Sequence, residues 1–306
     1  MTSPVIIEAA VSPFRAGAPV DDSFGVIGDA VASIEAGASI VHHHHDARLE
    51  RDEAVAALID VSRAILDVHP DAVLYPGILS GRNGAEHMAH LSPMAEAGVL
   101  GLAPVDPGAA VPYDLDDTGL PSGHGYVWNS FSTSKRVAAS MLEYGIGLTI
   151  GVYEPVQLRW ALAYEAAGEL PVGSMVKLYF GGGRSLFRPG HPAINFGLPP
   201  TPQALDMYLA MMKASGSDGS AMSWSVGVMG DSLLDLPLAR YALERGGHLR
   251  VGVEDLGVVD ATSNVETVER AAALAAEVGR RVATPSEVRS LLAGPFAARK
   301  SGCRET

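Results

Sequence analysis

The feature that most constrains the fold of this chain is an alternation that recurs along nearly all of its 306 residues. Eight short runs read as strands: VIIEAAV (5–11), SIVHHH (39–44), AVLYPG (72–77), VLGLAPV (99–105), GLTIGVY (147–153), SMVKLYF (174–180), SAMSWSV (220–226) and HLRVGVE (248–254). Between them, apolar residues recur at i, i+3, i+4 spacing, which predicts helices over 52–68, 133–144, 155–167, 202–214 and 265–278. Start and stop signals agree with this reading. Ser263 stands three residues before Glu266, a capping-box pattern, and glycine follows the helical runs in EAGA, EAGV, EYGIG and ERGGH. Strands that are apolar on both faces and separated by helices form parallel sheets. Eight such units predict a closed (β/α)8 barrel in one domain spanning 1–306. The rival architecture, a doubly wound sheet, lacks its G-x-G-x-x-G after the first strand.

Composition narrows the function classes. Hydrophobic residues make up 47% of the chain, enough for a large core, and the formal charge of −13 argues against nucleic acid or an anionic membrane surface as partner. A small-molecule carboxylate remains compatible, because it needs only a local basic pocket. The one cysteine, Cys303, lies in a polar stretch (295–306) expected to be a flexible tail, so no disulfide framework exists. No basic leader precedes the first strand and no apolar run reaches about 18 residues, so a cytoplasmic protein is expected. Two βα connections are long: 106–131 after the fourth strand and 181–200 after the sixth. Both leave the strand ends where a barrel builds its site, as walls or a lid.

Four consecutive histidines end the second strand. Strand alternation places His42 and His44 on one face, and His43 and His45 on the other. An H-x-H pair offers two imidazole nitrogens to one ion of the zinc type and needs a third ligand from elsewhere. The alternative is a polar strand end with solvated histidines. In the eighth strand the same period puts His248, Arg250, Gly252 and Glu254 on one face. An inward arginine needs an anion and an inward glutamate needs a cation. Both needs are met if Glu254 ligates a metal while Arg250 meets Asp255 or a substrate carboxylate; a structural Arg–Glu pair is the alternative. Glu154, ending the fifth strand, is a further site candidate, whereas Glu8 reads as a buried structural group beside a basic neighbour. The glycines of FGGGRS, Gly182 and Gly183, with Arg184 and Arg188 nearby, could cradle a phosphate or form a flexible loop. His87, His90, His124 and His191 read as surface histidines.

Two segments, AGASIVHHHHDAR (36–48) and the stretch from ARYALERGGHLRVGVEDLG through ATSN and ATPSEVRSLL (239–292), resemble the β-keto acid cleavage enzymes, the family of 3-keto-5-aminohexanoate cleavage enzyme. The pattern G-G-H-x-R-x-G-x-E-D followed by S-N and A-T-P carries most of the likeness. The resemblance implies a (β/α)8 barrel holding a divalent metal, zinc first, on His42, His44 and Glu254. It implies catalytic roles for Arg250 and Asp255. It also implies acetyl-CoA as co-substrate, a β-keto acid converted to acetoacetate and a new acyl-CoA, and a homo-oligomer, dimer or tetramer. The likeness breaks at Arg15, where the family has glutamate, at Gly77, where it has serine, along LAPVDPG (102–108), and at Asp46 with Arg48 two residues on. Those departures leave two further readings open: a CoA-independent hydrolase or aldolase, and a non-catalytic binder of metal or small anions.

Overall fold

The computed structural model describes every residue except 1–2, 12–22, 47, 80, 82, 111–112, 123–128, 186–191, 195, 216–218, 257–261 and 303–306. Eight parallel strands form the sheet: β1 (Ile7–Val11), β2 (Ile40–His43), β3 (Val73–Pro76), β4 (Ala103–Val105), β5 (Leu148–Val152), β6 (Met175–Gly181), β7 (Ser223–Met229) and β8 (His248–Val251). Their spatial order is β3-β2-β1-β8-β7-β6-β5-β4, a ring open only between β3 and β4. That seam is bridged by Gly101 and Leu102, whose N–H groups donate to Leu74 C=O at 2.8 and 3.2 Å. A Cβ on Gly101 would stand 2.8 Å from Leu74 N, so the close approach depends on glycine. The expected barrel is therefore the observed one, nearly closed.

The helices are α1 (Ser23–Glu35), α2 (Arg51–Val68), the short α3 (Gly84–His87) and α4 (Leu91–Glu96), α5 (Phe131–Tyr144), α6 (Pro155–Ala166), α7 (Pro202–Lys213), α8 (Pro237–Glu244), α9 (Asn264–Glu277) and α10 (Pro285–Gly302). The capping signal at Ser263 operates, with its Oγ accepting Glu266 N–H at 3.1 Å. The helical backbone of α10 runs through 295–302, which the sequence assigned to a tail; Cys303 lies outside the described residues. No helix among the described residues is long and apolar enough to cross a membrane.

Strand alternation divides the side chains into two layers. Ile7, Ala9, Val11, Val41, Leu74, Val105, Ile150, Val152 and Leu178 point outward and pack against the helices. The opposite parity lines the interior. Its lower end is a small apolar plug of Ile6, Ile40, Val73, Leu102 and Met175, closed from below by Ala283, Val288 and Leu292 of and just before α10. Above that plug the interior turns polar, and this polar layer positions the site.

His248 sits at the plug's edge, where its Nδ1 accepts Ile6 N–H at 3.0 Å and must therefore be unprotonated. Burial lowers its pKa from 6.5 to about 3, and burial does the same for His90. Their depressed folded values set the sign. Below pH 6.5 the unfolded chain binds protons that the folded chain refuses, so stability is lost as pH falls towards 3. Each such group contributes a slope of at most about 1.4 kcal/mol per pH unit. Urea unfolding at pH 7, 6 and 5 is expected to show falling stability, and a His90→Phe variant a shallower fall. Equal stability at all three values would refute this account of His90 and His248.

Candidate metal centre and active site

At the C-terminal end of the barrel three donors from opposite ends of the sequence converge. His42 Nε2 lies 3.0 Å from His44 Nε2, and His44 Nε2 lies 3.1 Å from Glu254 Oε1. Glu254 Oε2 stands 3.3 Å from His42 Nε2. All three ligand atoms lie within 4.8 Å of one another, and this is the one such His/Cys/Asp/Glu group among the described residues.

The local backbone explains why these residues meet. β2 and β8 flank β1, so their inward faces adjoin. His42 is the last inward residue inside β2, and His44 follows one residue beyond its end. The eighth strand stops earlier than its sequence pattern suggests, at Val251. Gly252 then adopts a φ of +147°, and a Cβ there would meet Ala10 O at 2.4 Å. Only glycine permits that turn, which delivers Glu254 into the mouth although regular strand geometry has ended. Val253 N–H is held by Asn264 Oδ1 at 3.0 Å, and Gly230 N–H by Asp255 C=O at 2.8 Å.

His43 points the other way, its Nε2 3.2 Å from Ser62 Oγ on α2. The structure thus has the parity expected of the histidine run, with the buried His45 also outside the cluster. His90, expected at the surface, is fully buried. It lies beside His45 and His44 at the start of α4, whose Leu91 and Met94 are buried in the core.

Arg250 lies directly below the cluster, 1% exposed. Its Nε donates to Asp255 at 3.0 and 3.2 Å, and Nη2 to Asp255 Oδ1 at 2.9 Å. Nη2 also pairs with Glu254 Oε2 at 3.0 Å, while Nη1 donates to Glu8 Oε1 at 2.7 Å and to Tyr75 Oη at 3.1 Å. Of the five guanidinium N–H groups, four are hydrogen-bonded to Asp255, Glu8 and Tyr75, and the remaining Nη2 hydrogen faces the Glu254 ion pair. Burial alone would raise the Glu254 carboxyl; Arg250, His42 and His44 outweigh it and hold that carboxyl well below the usual range. For Asp255 burial wins over Arg250, with Glu254 adding to it, and the carboxyl rises to about 6. His42 is kept neutral by burial, its pKa lowered to about 3.

Sequence reasoning missed part of this layer. Tyr75 of β3 stacks on His42, ring centroids 4.5 Å apart, and donates its hydroxyl to Glu8. Lys177 of β6 donates to Tyr75 Oη at 2.5 Å and pairs with Glu8 at 3.6 Å. Glu8, read as structural, is a hub whose partners are Arg250, Lys177 and Tyr75. The signal was available: Lys177 interrupts an apolar strand at the parity that faces inward, as Glu8 does.

Other predicted site residues stand apart. Glu154 is the N-cap of α6, in a reciprocal capping box with Gln157, and its Oε1 accepts Gly197 N–H at 3.0 Å. Gly182 N–H donates to Met229 C=O at 2.7 Å, and Gly183 N–H to Asp231 Oδ2 at 2.8 Å. Arg184 pairs with Asp231 at 3.4 Å. An aspartate thus stands where a phosphate cradle was expected, and it uses the Gly183 donor the cradle would need. Arg15, Arg188, His124 and His191 lie outside the described residues. The two long connections do form one structure at the mouth: Tyr113–Leu115 pairs antiparallel with both Pro121–Ser122 and Ala193–Ile194.

Gly77 acquires a physical reason. A Cβ at this position would lie 2.3 Å from His44 Cε1 and 2.4 Å from Nδ1, so the imidazole occupies the space of a side chain. Gly77→Ala is expected to push His44 off the cluster and weaken divalent-metal affinity at least about tenfold, with a stability change under about 1 kcal/mol. Metal titration of the apoprotein tests this, and unchanged affinity would show that His44 does not depend on the gap.

With this geometry in place, comparison with known proteins is informative. The family model described as beta-keto acid cleavage enzyme matches residues 25–293. A 3-keto-5-aminohexanoate cleavage enzyme of Fusobacterium nucleatum is 28% identical over 274 residues, covering 86% of each chain. A 3-oxoadipate:acetyl-CoA acetyltransferase of Cupriavidus necator is 28% identical over 276 residues, covering 86% of this chain and 84% of the relative. Among solved structures, ObcA in a binary complex with oxaloacetate superposes with a TM-score of 0.66 at 16% identity. That match covers 88% of this chain and 66% of ObcA, and at this identity the likeness is one of fold.

Proposed function

The chain belongs to the β-keto acid cleavage enzyme family, and on that premise we propose that it cleaves a β-keto acid with acetyl-CoA as co-substrate in a metal-dependent reaction. The β-keto acid gives up its acyl group to CoA, the acetyl group of acetyl-CoA takes its place, and acetoacetate and a new acyl-CoA result. The observation that carries this reading is the convergence of His42, His44 and Glu254 above the Arg250–Asp255 pair at the barrel's C-terminal end.

The donor set suits a divalent ion of the zinc type. Two imidazole nitrogens and one carboxylate converge, and His42 is neutral with a lone pair to give. Among the described residues the interior also carries more carboxyl groups than cations: Glu8, Asp106, Glu254 and Asp255 against Arg250 and Lys177. A bound divalent ion would supply Lewis-acid polarisation of the β-keto oxygen. The protein's own groups do the rest. Arg250, held by Asp255, Glu8 and Tyr75 and paired with Glu254, acts as a positioning residue that aims both acids. Asp255, whose carboxyl is pushed up by burial and by Glu254, is the group suited to accept and return a proton. The Glu8–Tyr75–Lys177 network holds Arg250 from beneath.

One observation favours a second reading. The Gly182 and Gly183 N–H groups of the expected phosphate cradle are both engaged within the protein, as a CoA-independent hydrolase or aldolase would tolerate. A single set of measurements separates the readings: metal content of the purified protein by mass spectrometry, then loss of β-keto acid with and without acetyl-CoA. Loss that requires acetyl-CoA and yields a new acyl-CoA supports the proposal. Turnover without it supports the second reading, and metal binding with no turnover would reduce the protein to a binding module.

A further inference from the structure

Across the barrel from β1, β2 and β8, the wall made by β4, β5 and β6 carries a different chemistry. Asp106 follows the last residue of β4 at inward parity, and its carboxylate lies over Gly151 of β5. A Cβ on Gly151 would stand 2.1 Å from Asp106 Oδ1, so the neighbouring strand has been left bare to admit that carboxylate. Tyr153 hydrogen-bonds it. Tyr153 stacks on Tyr179 of β6, centroids 4.7 Å apart and planes 11° from parallel, and Phe196 meets the Tyr153 ring edge-on at 4.8 Å. An acid backed by aromatic rings is the ordinary chemistry of a site for an organic cation.

The charge balance points the same way. The buried cations Arg250 and Lys177 form their ion pairs with Glu8, Glu254 and Asp255, and among the described residues none forms one with Asp106. A divalent ion at the histidines would neutralise the two surplus carboxylates that the described residues place in the interior. A substrate carboxylate would then leave one net negative charge among these groups. A cation on the same substrate cancels it, whereas a second substrate carboxylate doubles it beside Asp106.

We propose that Asp106 is the specificity-determining residue of this pocket, and that it selects β-keto acids carrying an ammonium group at the end remote from the carboxylate over those carrying a second carboxylate there. This rests on the reading of the site as one for β-keto acids. The two named relatives act on an amino-keto acid and on a keto diacid, and Asp106 assigns this chain to the first kind of ligand.

The test has two arms on the protein as purified with its metal. In the first, kcat/KM with acetyl-CoA is compared for β-keto acids of equal length ending in ammonium, methyl or carboxylate. The ammonium acid is expected to exceed the diacid by about a hundredfold, and Asp106→Asn to reduce that ratio at least about tenfold. In the second, equilibrium binding of ω-aminopentanoate, pentanoate and glutarate is measured by calorimetry, which needs no turnover. The amino acid is expected to bind at least about tenfold tighter than glutarate, and Asp106→Lys to reverse the order. Wild-type preference for the diacid or for glutarate overturns the proposal, even if neither variant folds. Equal losses for all ligands in Asp106→Asn overturn it too, leaving Asp106 a structural role. If no keto acid turns over while the binding preference and its reversal hold, the reaction reading fails and the assignment of Asp106 stands.

Discussion

Replacing Arg250 with alanine is expected to lower stability by about 3–5 kcal/mol, the cost of leaving buried carboxylates without their cation. Glu8, Glu254 and Asp255 all depend on this one guanidinium, and its neighbour Lys177 reaches only Glu8. Arg250→Lys restores a charge but cannot supply five N–H groups in a planar fork, so it is expected to recover less than half of the loss. Urea unfolding of the three proteins measures the effect. Turnover per folded molecule is expected to fall at least about a hundredfold in both variants, because Asp255 loses the contacts that aim it. An alanine variant as stable and as active as the parent would mean that the guanidinium holds nothing in place.

The second large effect concerns metal. His42→Ala and Glu254→Ala are each expected to abolish stoichiometric binding of a divalent ion, read as metal per protein by mass spectrometry after dialysis. Alteration of groups that merely support metal ligands commonly costs about tenfold to a hundredfold in affinity; removal of a ligand costs more. His43→Ala is the matched control. Its ring faces Ser62 on α2 rather than the cluster, so metal content is expected to stay at the parental level. Retention of metal in both His42→Ala and Glu254→Ala, or its loss in His43→Ala alone, would overturn the ligand set. The apoprotein is also expected to unfold at lower temperature than the loaded protein, since an ion bound only by the native state stabilises it by mass action.

Much of this was legible in the sequence because a period of two is a strong rule. It separated His42 from His43 and aimed Arg250 inward without knowledge of any neighbour. The same rule reached Glu254 by a route the structure revises: the strand ends at Val251, and the turn at Gly252 restores the direction that continued strand geometry would have given. What escaped was pairing. Nothing local in VIIEAAV says that Glu8 meets Tyr75 and Lys177, since those contacts span 67 and 102 residues between Tyr75 and its two partners. Loop chemistry was harder still. The FGGGRS glycines offer backbone donors in isolation, and only the fold brings Asp231 against Gly183. His90 looked like a surface residue because imidazole is usually solvated, although Met88, Leu91 and Met94 around it are all buried in the core.

The small antiparallel sheet at the mouth has a consequence for how such a pocket can change. Tyr113–Leu115 bonds to Ala193–Ile194, so two loops leaving different strands share one set of backbone bonds. They are mechanically coupled through that ladder. Exchanging the loop after β4 for that of another barrel removes the pairing partner of the loop after β6, and a graft that carries both segments keeps the ladder intact. Point changes on the barrel wall, by contrast, leave that ladder untouched.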